Sequence, residues 1–336
     1  MAQPSNTFET YDAVGNRETL ADAIYQISPE ETPFLSMIGK ESVSGIHPEW
    51  QTDTLATPST TNNQPEGNDW SFQAITPTAR VGNYCQISDK RIIISNTQEV
   101  VSKAGRKSEM AREIAKKGVE LKTDIEVTHL SNQASSAGSG NGATNRTSGG
   151  FRAWISTNDS LGAGGASGGF NTSTGVVDAA TNGTQRAMTK VLLDTVILNT
   201  YNAGGSPTTL LLSPYAKTVF STFMSDTNVA QQRTNVSGKK QTTITAAADI
   251  YVSDFGEIMV VPNRQMARAG ATIARNAFLV DPTMVKHGVL RDIAKRDPAT
   301  TGDSEKKVLN TEYTLVVKNE AANGVIADIF GMTSAS

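Results

Sequence analysis

The chain has 336 residues, of which 19% are charged and 6% aromatic, and its formal net charge is −3. This slightly acidic balance argues against a protein whose main task is to neutralise nucleic-acid phosphates. The single cysteine, Cys85, excludes an intrachain disulfide and a thiolate zinc site. No apolar run approaches the ~20 residues that cross a bilayer, and no signal-peptide pattern opens the chain, so we expect cytoplasmic synthesis and no membrane partner.

The N-terminal region has the pattern of an acidic arm. Residues 1–15 are predicted to be extended, and apolar side chains then recur at helical spacing up to residue 27. These side chains are Leu20, Ala23, Ile24 and Ile27. A second helix is predicted to start at Ser28-Pro29, because Ser suits an N-cap and Pro the first helical position, and residues 34–38 follow as an apolar docking patch. The first fifty residues hold eight acids and two bases.

Residues 45–95 are predicted to form a long hairpin, in which two extended stretches flank a centre rich in Thr, Pro, Asn and Gly. This centre has little to bury, and such long loops in compact domains are usually functional or disordered. Trp50, Trp70 and Phe72 lie near its base in the sequence and indicate that the hairpin packs against something. Two interpretations stay open: a flexible surface loop, and an arm that lies on a neighbouring subunit.

The strongest local pattern predicts one long helix over residues 98–133. Its apolar residues are spaced by three, four and seven positions, and no proline interrupts them. They are Val101, Ala104, Ala111, Ile114, Ala115, Gly118, Leu121 and Ile125. Such a helix of ~30 residues would be ~45 Å long. A coiled coil is the alternative, but the apolar positions do not keep a strict heptad.

The remaining sequence predicts a flexible segment followed by a compact α+β unit. Residues 134–169 are rich in Gly and Ser, and without a following Lys-Ser/Thr they do not match a phosphate-binding loop, so a flexible loop or partly ordered linker is expected. A helix is then predicted over Thr184–Asn202, a strand over Leu210–Leu212 and a second helix after the Ser213-Pro214 cap. Further strands are predicted at residues 250–252, 258–261, 277–280, 289–293, 313–317 and 325–329, with a charged loop at residues 295–307.

The sequence gives little support for chemistry. His47, His129 and His287 lie in separate segments without a metal-binding or catalytic motif, so we expect ordinary surface or interface residues. No catalytic, cofactor-binding or metal-binding residue is predicted. We therefore do not expect an enzyme.

Short motifs at the two ends of the chain carry a resemblance to a known family. The opening motifs are Thr7-Phe8-Glu9-Thr10-Tyr11-Asp12, Arg17-Glu18-Thr19-Leu20 and Ile27-Ser28-Pro29-Glu30-Glu31-Thr32-Pro33-Phe34. The closing motifs are Leu279-Val280-Asp281-Pro282, Thr314-Leu315-Val316-Val317 and Glu320-Ala321-Ala322-Asn323-Gly324-Val325-Ile326. With these motifs the chain resembles the major capsid proteins of tailed bacteriophages, of the podovirus type with the HK97-like capsid fold, and the order of elements agrees with that family over essentially the whole chain.

The resemblance implies a division of the chain into the parts of such a subunit. These are an N-terminal arm (1–44), an extended loop (45–95), a peripheral domain with the spine helix 98–133 and the Gly/Ser-rich insertion (96–183), an axial domain (184–290), and closing strands of the peripheral domain (291–336). The hairpin and the long helix would then find their packing partners in a lattice of subunits. No lysine lies between Lys40 and Lys90, so the loop cannot donate the lysine–asparagine cross-link that some family members use.

The resemblance also implies a function and partners. The chain would assemble with itself as pentamers and hexamers into an icosahedral head around double-stranded DNA, in the virion, after synthesis in the cytoplasm of the host bacterium. Scaffolding, portal and decoration proteins are further expected partners. An encapsulin-like compartment shell and a β-rich binding module are the alternatives. The residues expected at subunit contacts are Phe8, Tyr11, Phe34, Leu35, Trp50, Trp70, Phe72, Arg80, Lys90 and Arg91, of which the three bases would face a neighbour's acidic arm.

Overall fold

The protein is described by a computed structural model that covers residues 30–69, 72–223 and 249–333. The helices are α1 (Pro33–Ile38), α2 (Asn96–Val100), α3 (Glu109–Leu130), α4 (Phe151–Trp154), α5 (Lys190–Asn202), α6 (Pro214–Thr222), α7 (Arg264–Arg268) and α8 (Ala271–Ala274), with a 3₁₀ turn at Glu320–Ala322. The strands are β1 (Lys40–Ser42), β2 (Glu49–Thr52), β3 (Ala79–Gly82), β4 (Gln86–Ser95), β5 (Asp159–Ser160), β6 (Gly169–Asn171), β7 (Val176–Asp178), β8 (Arg186–Ala187), β9 (Thr209–Leu212), β10 (Ile250–Ser253), β11 (Gly256–Pro262), β12 (Ala277–Val280), β13 (Val285–Arg296), β14 (Ser304–Val317), β15 (Gly324–Ile326) and β16 (Ile329–Gly331). The mixture of helices and largely separate strands is α+β, as predicted.

Two sheets organise these elements. The first has the order β1-β13-β14-β4, in which β1 runs parallel to β13 and the other pairs are antiparallel. The second has six strands in the order β10-β11-β9-β12-β15-β5. Three two-stranded pairs, β2-β3, β6-β7 and β8-β16, complete the described part of the chain.

The largest buried cluster joins the N-terminal region to both sheets. The Phe34 ring of α1 lies 5.4 Å from that of Phe151 in α4, which in turn lies 5.5 Å from the ring of Phe278 in β12. Leu315 of β14 belongs to the same cluster. A second cluster packs α5 and α6 on the six-stranded sheet, and a third packs α3 on β14. Because α1 shares one core with both sheets, it is an integral part of the fold.

The single helix predicted over residues 98–133 is wrong. The chain instead forms the short helix α2 and the 22-residue helix α3, about 33 Å long at 1.5 Å per residue. Ser95 Oγ accepts a hydrogen bond from Gln98 N, and Ser108 Oγ accepts one from Ala111 N, so each helix has its own N-cap. Between them Gly105 has a φ of 75°, a left-handed conformation that interrupts the helix.

Residues 134–169, expected to be a flexible loop or a partly ordered linker, are more ordered than a flexible loop. This segment contains β5, the start of β6 and the fully buried helix α4. A Cβ atom on Gly150 would lie 2.1 Å from the Ser131 carbonyl oxygen, and one on Gly168 would lie 2.5 Å from that of Asp178. The glycines therefore allow close packing of neighbouring backbone segments, which glycine-rich composition alone does not distinguish from flexibility.

Several predicted boundaries also change. The paired part of the hairpin is only β2 with β3, because β4 leaves it to pair with β14. The two ends of the charged loop at residues 295–307 belong to β13 and β14, and Lys306 and Lys307 of β14 pair with β4. Helix α5 begins six residues later than Thr184, at Lys190, because Thr189 caps it.

The first turn of the N-terminal helix is shifted as well. Helix α1 begins at Pro33, directly after Thr32, and not at Pro29. The predicted extended arm, the predicted amphipathic helix and Ser28-Pro29 lie outside the described residues.

Candidate assembly interface

Glu126 fastens the N-terminal region to the body of the subunit. Its two carboxylate oxygens accept hydrogen bonds from Phe34 N at 2.9 Å and Leu35 N at 2.7 Å, at the N-terminus of α1. Asn263 Nδ2, just before α7, donates a third at 2.7 Å. Burial raises the pKa of Glu126, while the two backbone hydrogen bonds and the one from Asn263 oppose that rise. One buried carboxyl group thus joins α1, α3 and α7.

A buried histidine pair lies beneath the strand that continues the arm. His129 Nε2 and His287 Nδ1 are 2.8 Å apart, and the ring of Tyr313 packs against both. His287 N donates to Gly39 O at 2.9 Å, where β1 begins to pair with β13. Burial, and then the neighbouring His287, lowers the pKa of His129; burial, and then Lys40, lowers that of His287 to about 4.

The expectation that all three histidines are surface or interface residues is wrong for His129 and His287, which are buried. His47 is half-buried at the base of the hairpin, where its ring stacks on Tyr84 with 4.0 Å between centroids. The sequence alone does not reveal the contact between His129 and His287, because these residues are 158 positions apart.

The hairpin packs on its own subunit at the base and is exposed at the tip. Half-buried Trp50 of β2 stacks on Trp154 of α4, with ring centroids 5.6 Å apart. Beyond β2 and β3, the described residues of 53–78 form neither helix nor strand. Leu55, Phe72 and Ile75 in this stretch have 100%, 91% and 94% of their surface exposed. Three large apolar side chains of this stretch are therefore available for contacts outside their own subunit.

The predicted basic contact residues have carboxylate partners within the same chain. Arg80 Nε lies 3.2 Å from Glu49 Oε1 across the hairpin base, and Lys90 Nζ lies 2.5 Å from Asp124 Oδ2 of α3. Arg91 Nε lies 2.5 Å from a carboxylate oxygen two residues earlier. The side chains of Arg80 and Arg91 remain mostly exposed, so contact with a neighbour's arm stays a prediction for them.

The aromatic and apolar contact residues fall into different classes. An interface role for Phe34 is wrong, because its side chain is completely buried in the core of its own chain. Leu35 is half-buried against the cluster between α3 and β14. Phe8, Tyr11 and Trp70 lie outside the described residues.

Other exposed apolar residues were not predicted as contacts. Val191 on α5, Val252 on the edge strand β10 and Met259 on β11 are all more than half exposed. The alternation of strand residues is the signal that could have identified Val252, since its neighbours point to the opposite face. Within the described ranges, no cluster of three metal-ligating side chains occurs and no helix could cross a membrane.

The fold defines a class of protein, the HK97-like capsid proteins of bacteriophages. A structure from Mycobacterium phage Adephagia aligns with a TM-score of 0.58 at 13% identity, covering 96% of this chain and 98% of that one. The Cyanophage A-1(L) capsid asymmetric unit aligns with a TM-score of 0.57 at 15% identity over 96% of this chain and 98% of that one. A structure from Gordonia phage Cozz aligns with a TM-score of 0.57 at 12% identity, covering 98% of this chain and 97% of that one.

The sequence then gives the family. The family model described as SU10 major capsid protein matches residues 3–330, and the chain belongs to that family, as a structural protein of the phage capsid and hence of the virion. The Major capsid protein of Escherichia phage Phieco32 is 38% identical over 134 residues, which are 40% of this chain and 38% of that protein. The matched region thus spans about two fifths of that relative's length. The resemblance to tailed-phage capsid proteins is confirmed, and the comparisons do not support the compartment-shell or binding-module alternatives.

Proposed function

We propose that the chain assembles with itself as pentamers and hexamers into an icosahedral head that encloses double-stranded DNA. The observation that carries this proposal is the hairpin tip, where Leu55, Phe72 and Ile75 are almost fully exposed beyond the base that Trp50 packs on Trp154. A head-to-tail contact repeated around a ring would bury them against the next subunit. At ~1.5 to 3 kcal/mol for each large apolar side chain, the three contribute roughly 5 to 9 kcal/mol per contact.

The proposed shell has a structural role and no catalytic one. The DNA would be enclosed without sequence-specific binding, and the net charge of −3 argues against extensive neutralisation of its phosphates by this chain. Assembly would take place in the cytoplasm of the host bacterium. Scaffolding, portal and decoration proteins would be additional partners, and neighbouring N-terminal regions and hairpins would supply the contacts between copies.

Assembly is tested by electron microscopy of the purified protein. The full chain should form closed particles built from rings of five and six subunits. The double variant Phe72→Ser/Ile75→Ser should remain as small species with unchanged circular dichroism, because neither side chain contacts the core of its own subunit. Asn62→Ser/Asn63→Ser, in the same exposed tip, is the control and should assemble normally.

Two results would contradict this proposal. One is a full chain that stays monomeric under all conditions. The other is normal particle formation by Phe72→Ser/Ile75→Ser, which would show that the hairpin tip does not hold subunits together.

A further inference from the structure

An open groove of about 350 Å³ lies between the start of α6, helices α7 and α8, and strand β16. The side chains that matter here are Tyr215, Ala267, Ala271, Ala274, Arg275 and Phe330. The alanines leave room for a close approach, while Tyr215 and Phe330 are 62% and 43% exposed. A shallow apolar groove of this kind suits the apolar face of an amphipathic helix.

The charged side chain that lines the groove is that of Arg275. Residues 258–280 contain three arginines and no Asp or Glu. Arg264 pairs with Glu31, with 3.7 Å between Nη1 and Oε2. Half-buried Arg275, on the groove wall, donates to the side-chain amide of Gln185 and has no carboxylate partner within the described part of the chain. An acidic occupant would therefore complement this wall.

The N-terminal residues enter the structure beside this groove. The Glu31 carbonyl accepts a hydrogen bond of 3.1 Å from Gln265 Nε2 in α7, and α8, which follows α7, lines the groove. Gln265 and Ala271 are six residues apart and are therefore separated by no more than about 20 Å, whereas residues 16–29 span about 20 Å as a helix and about 45 Å when extended. The segment that precedes Glu30 can therefore reach the groove of its own subunit.

Residues 16–29 have the matching chemistry. Their apolar side chains recur at helical spacing, and Glu18 and Asp22 supply negative charge. We propose that this segment binds in the groove of its own subunit, with Leu20 and Ile24 on the alanines and its acids toward Arg275. This docking does not require assembly and is separate from the proposed shell.

Hydrogen exchange of the unassembled full-length chain tests the docking. Leu20→Ser/Ile24→Ser should accelerate exchange of the α8 amides by about tenfold or more. The reason is that loss of two aliphatic contacts lowers the equilibrium constant for docking at least about tenfold. Deletion of residues 1–29 should do the same. The matched control Ala21→Ser/Tyr25→Ser, whose sites lie off the apolar face at helical spacing, should leave α8 unchanged.

The exchange rates of the α8 amides decide whether residues 16–29 bind in the groove. Unchanged α8 exchange in the Leu20→Ser/Ile24→Ser and deletion variants overturns the proposal, and so does equal acceleration by the control. Exchange in α5, which does not line the groove, reports whether a variant perturbs the whole fold.

A cysteine pair distinguishes docking within a chain from docking between chains. In a Cys85→Ala background, Ile24→Cys with Ala271→Cys should form an intrachain disulfide under mild oxidation, identified by peptide mass. Tyr25→Cys with Ala271→Cys is the control and should form it at least severalfold less. A disulfide found only between chains, or none, overturns the proposal, and particle formation scored separately keeps this result distinct from the test of shell assembly.

Discussion

Replacing Glu126 with alanine should detach the docked arm from the subunit. The side chain is completely buried and accepts three hydrogen bonds, so the change removes the acceptor of the partly buried Leu35 N and of two buried donors, Phe34 N and Asn263 Nδ2. A buried donor without a partner costs about 1 to 3 kcal/mol, so the two together cost about 2 to 6 kcal/mol. Removing a buried carboxyl group offsets part of this cost, because burial raises the pKa of Glu126 and disfavours its charged form. We therefore expect a net loss of about 2 to 4 kcal/mol.

The assay combines equilibrium denaturation of the unassembled full chain with hydrogen exchange of the amides in α1. Glu126→Ala should lower the free energy of unfolding and should expose Phe34 N and Leu35 N to exchange before the six-stranded sheet opens. Glu120→Ala on the same helix is the control, since Glu120 forms only a half-buried ion pair of 2.8 Å with Lys117. That pair is worth at most about 1 kcal/mol. Equal stability losses in the two variants, with no change in α1 exchange, would refute the argument.

Three further outcomes follow from the structure. The pKa of His287 falls from 6.5 to about 4 on folding, so the unfolded state binds more protons, and stability should decrease by up to about 3 kcal/mol as the pH falls through this window. Denaturation curves at several pH values measure this loss, and His287→Gln should flatten it. Gly150→Ala should cost about 1 to 3 kcal/mol in thermal denaturation by forcing backbone segments apart, whereas Gly140→Ala, with open space around it, should be nearly neutral. Shells should dissociate to monomers in denaturing gels, because the hairpin contains no lysine for a covalent cross-link; a ladder of bands would contradict this.

Strand β9 and the capped helix α6 could be predicted because their signals are local. The apolar run Leu210–Leu212 followed by Ser213-Pro214 predicts a buried strand and then a helix. The structure has β9 and α6 there, with Ser213 Oγ accepting from Ala216 N at 3.3 Å. Both the burial pattern and the cap lie within eight consecutive residues, so no distant contact is needed to specify them.

The break in the long helix shows where periodicity is insufficient. Apolar residues keep helical spacing across the gap between α2 and α3, yet Gly105 within this gap is left-handed and Ser108 caps the start of α3. A serine cap contributes about 1 kcal/mol, and a helix interior disfavours Gly by about the same amount, so two such residues outweigh a weak apolar stripe. Reading capping residues inside a periodic segment would have identified this break.

The site was predictable only in part, because its members meet through the tertiary structure. Aromatic residues near the hairpin mark its position, and Trp50 does pack at the base. The carboxyl group of Glu126, in contrast, lies 92 positions from the Phe34 amide that it caps, and a lone Glu on an amphipathic helix ordinarily faces solvent. Without an alignment or a structure, nothing local distinguishes Glu126 from Glu120.

The arrangement separates folding of the subunit from its assembly. Phe34, Glu126 and His287 hold α1 and β1 to α3 and to both sheets, so changes there first lower the stability of the subunit. Phe72 and Ile75 bury almost nothing in their own chain, so their replacement should leave the stability of the subunit nearly unchanged and should weaken contacts between copies. Because a shell repeats each contact many times, a modest change at the hairpin tip should abolish particles, whereas an equal change at Glu126 would lower the amount of folded subunit without altering the contact itself.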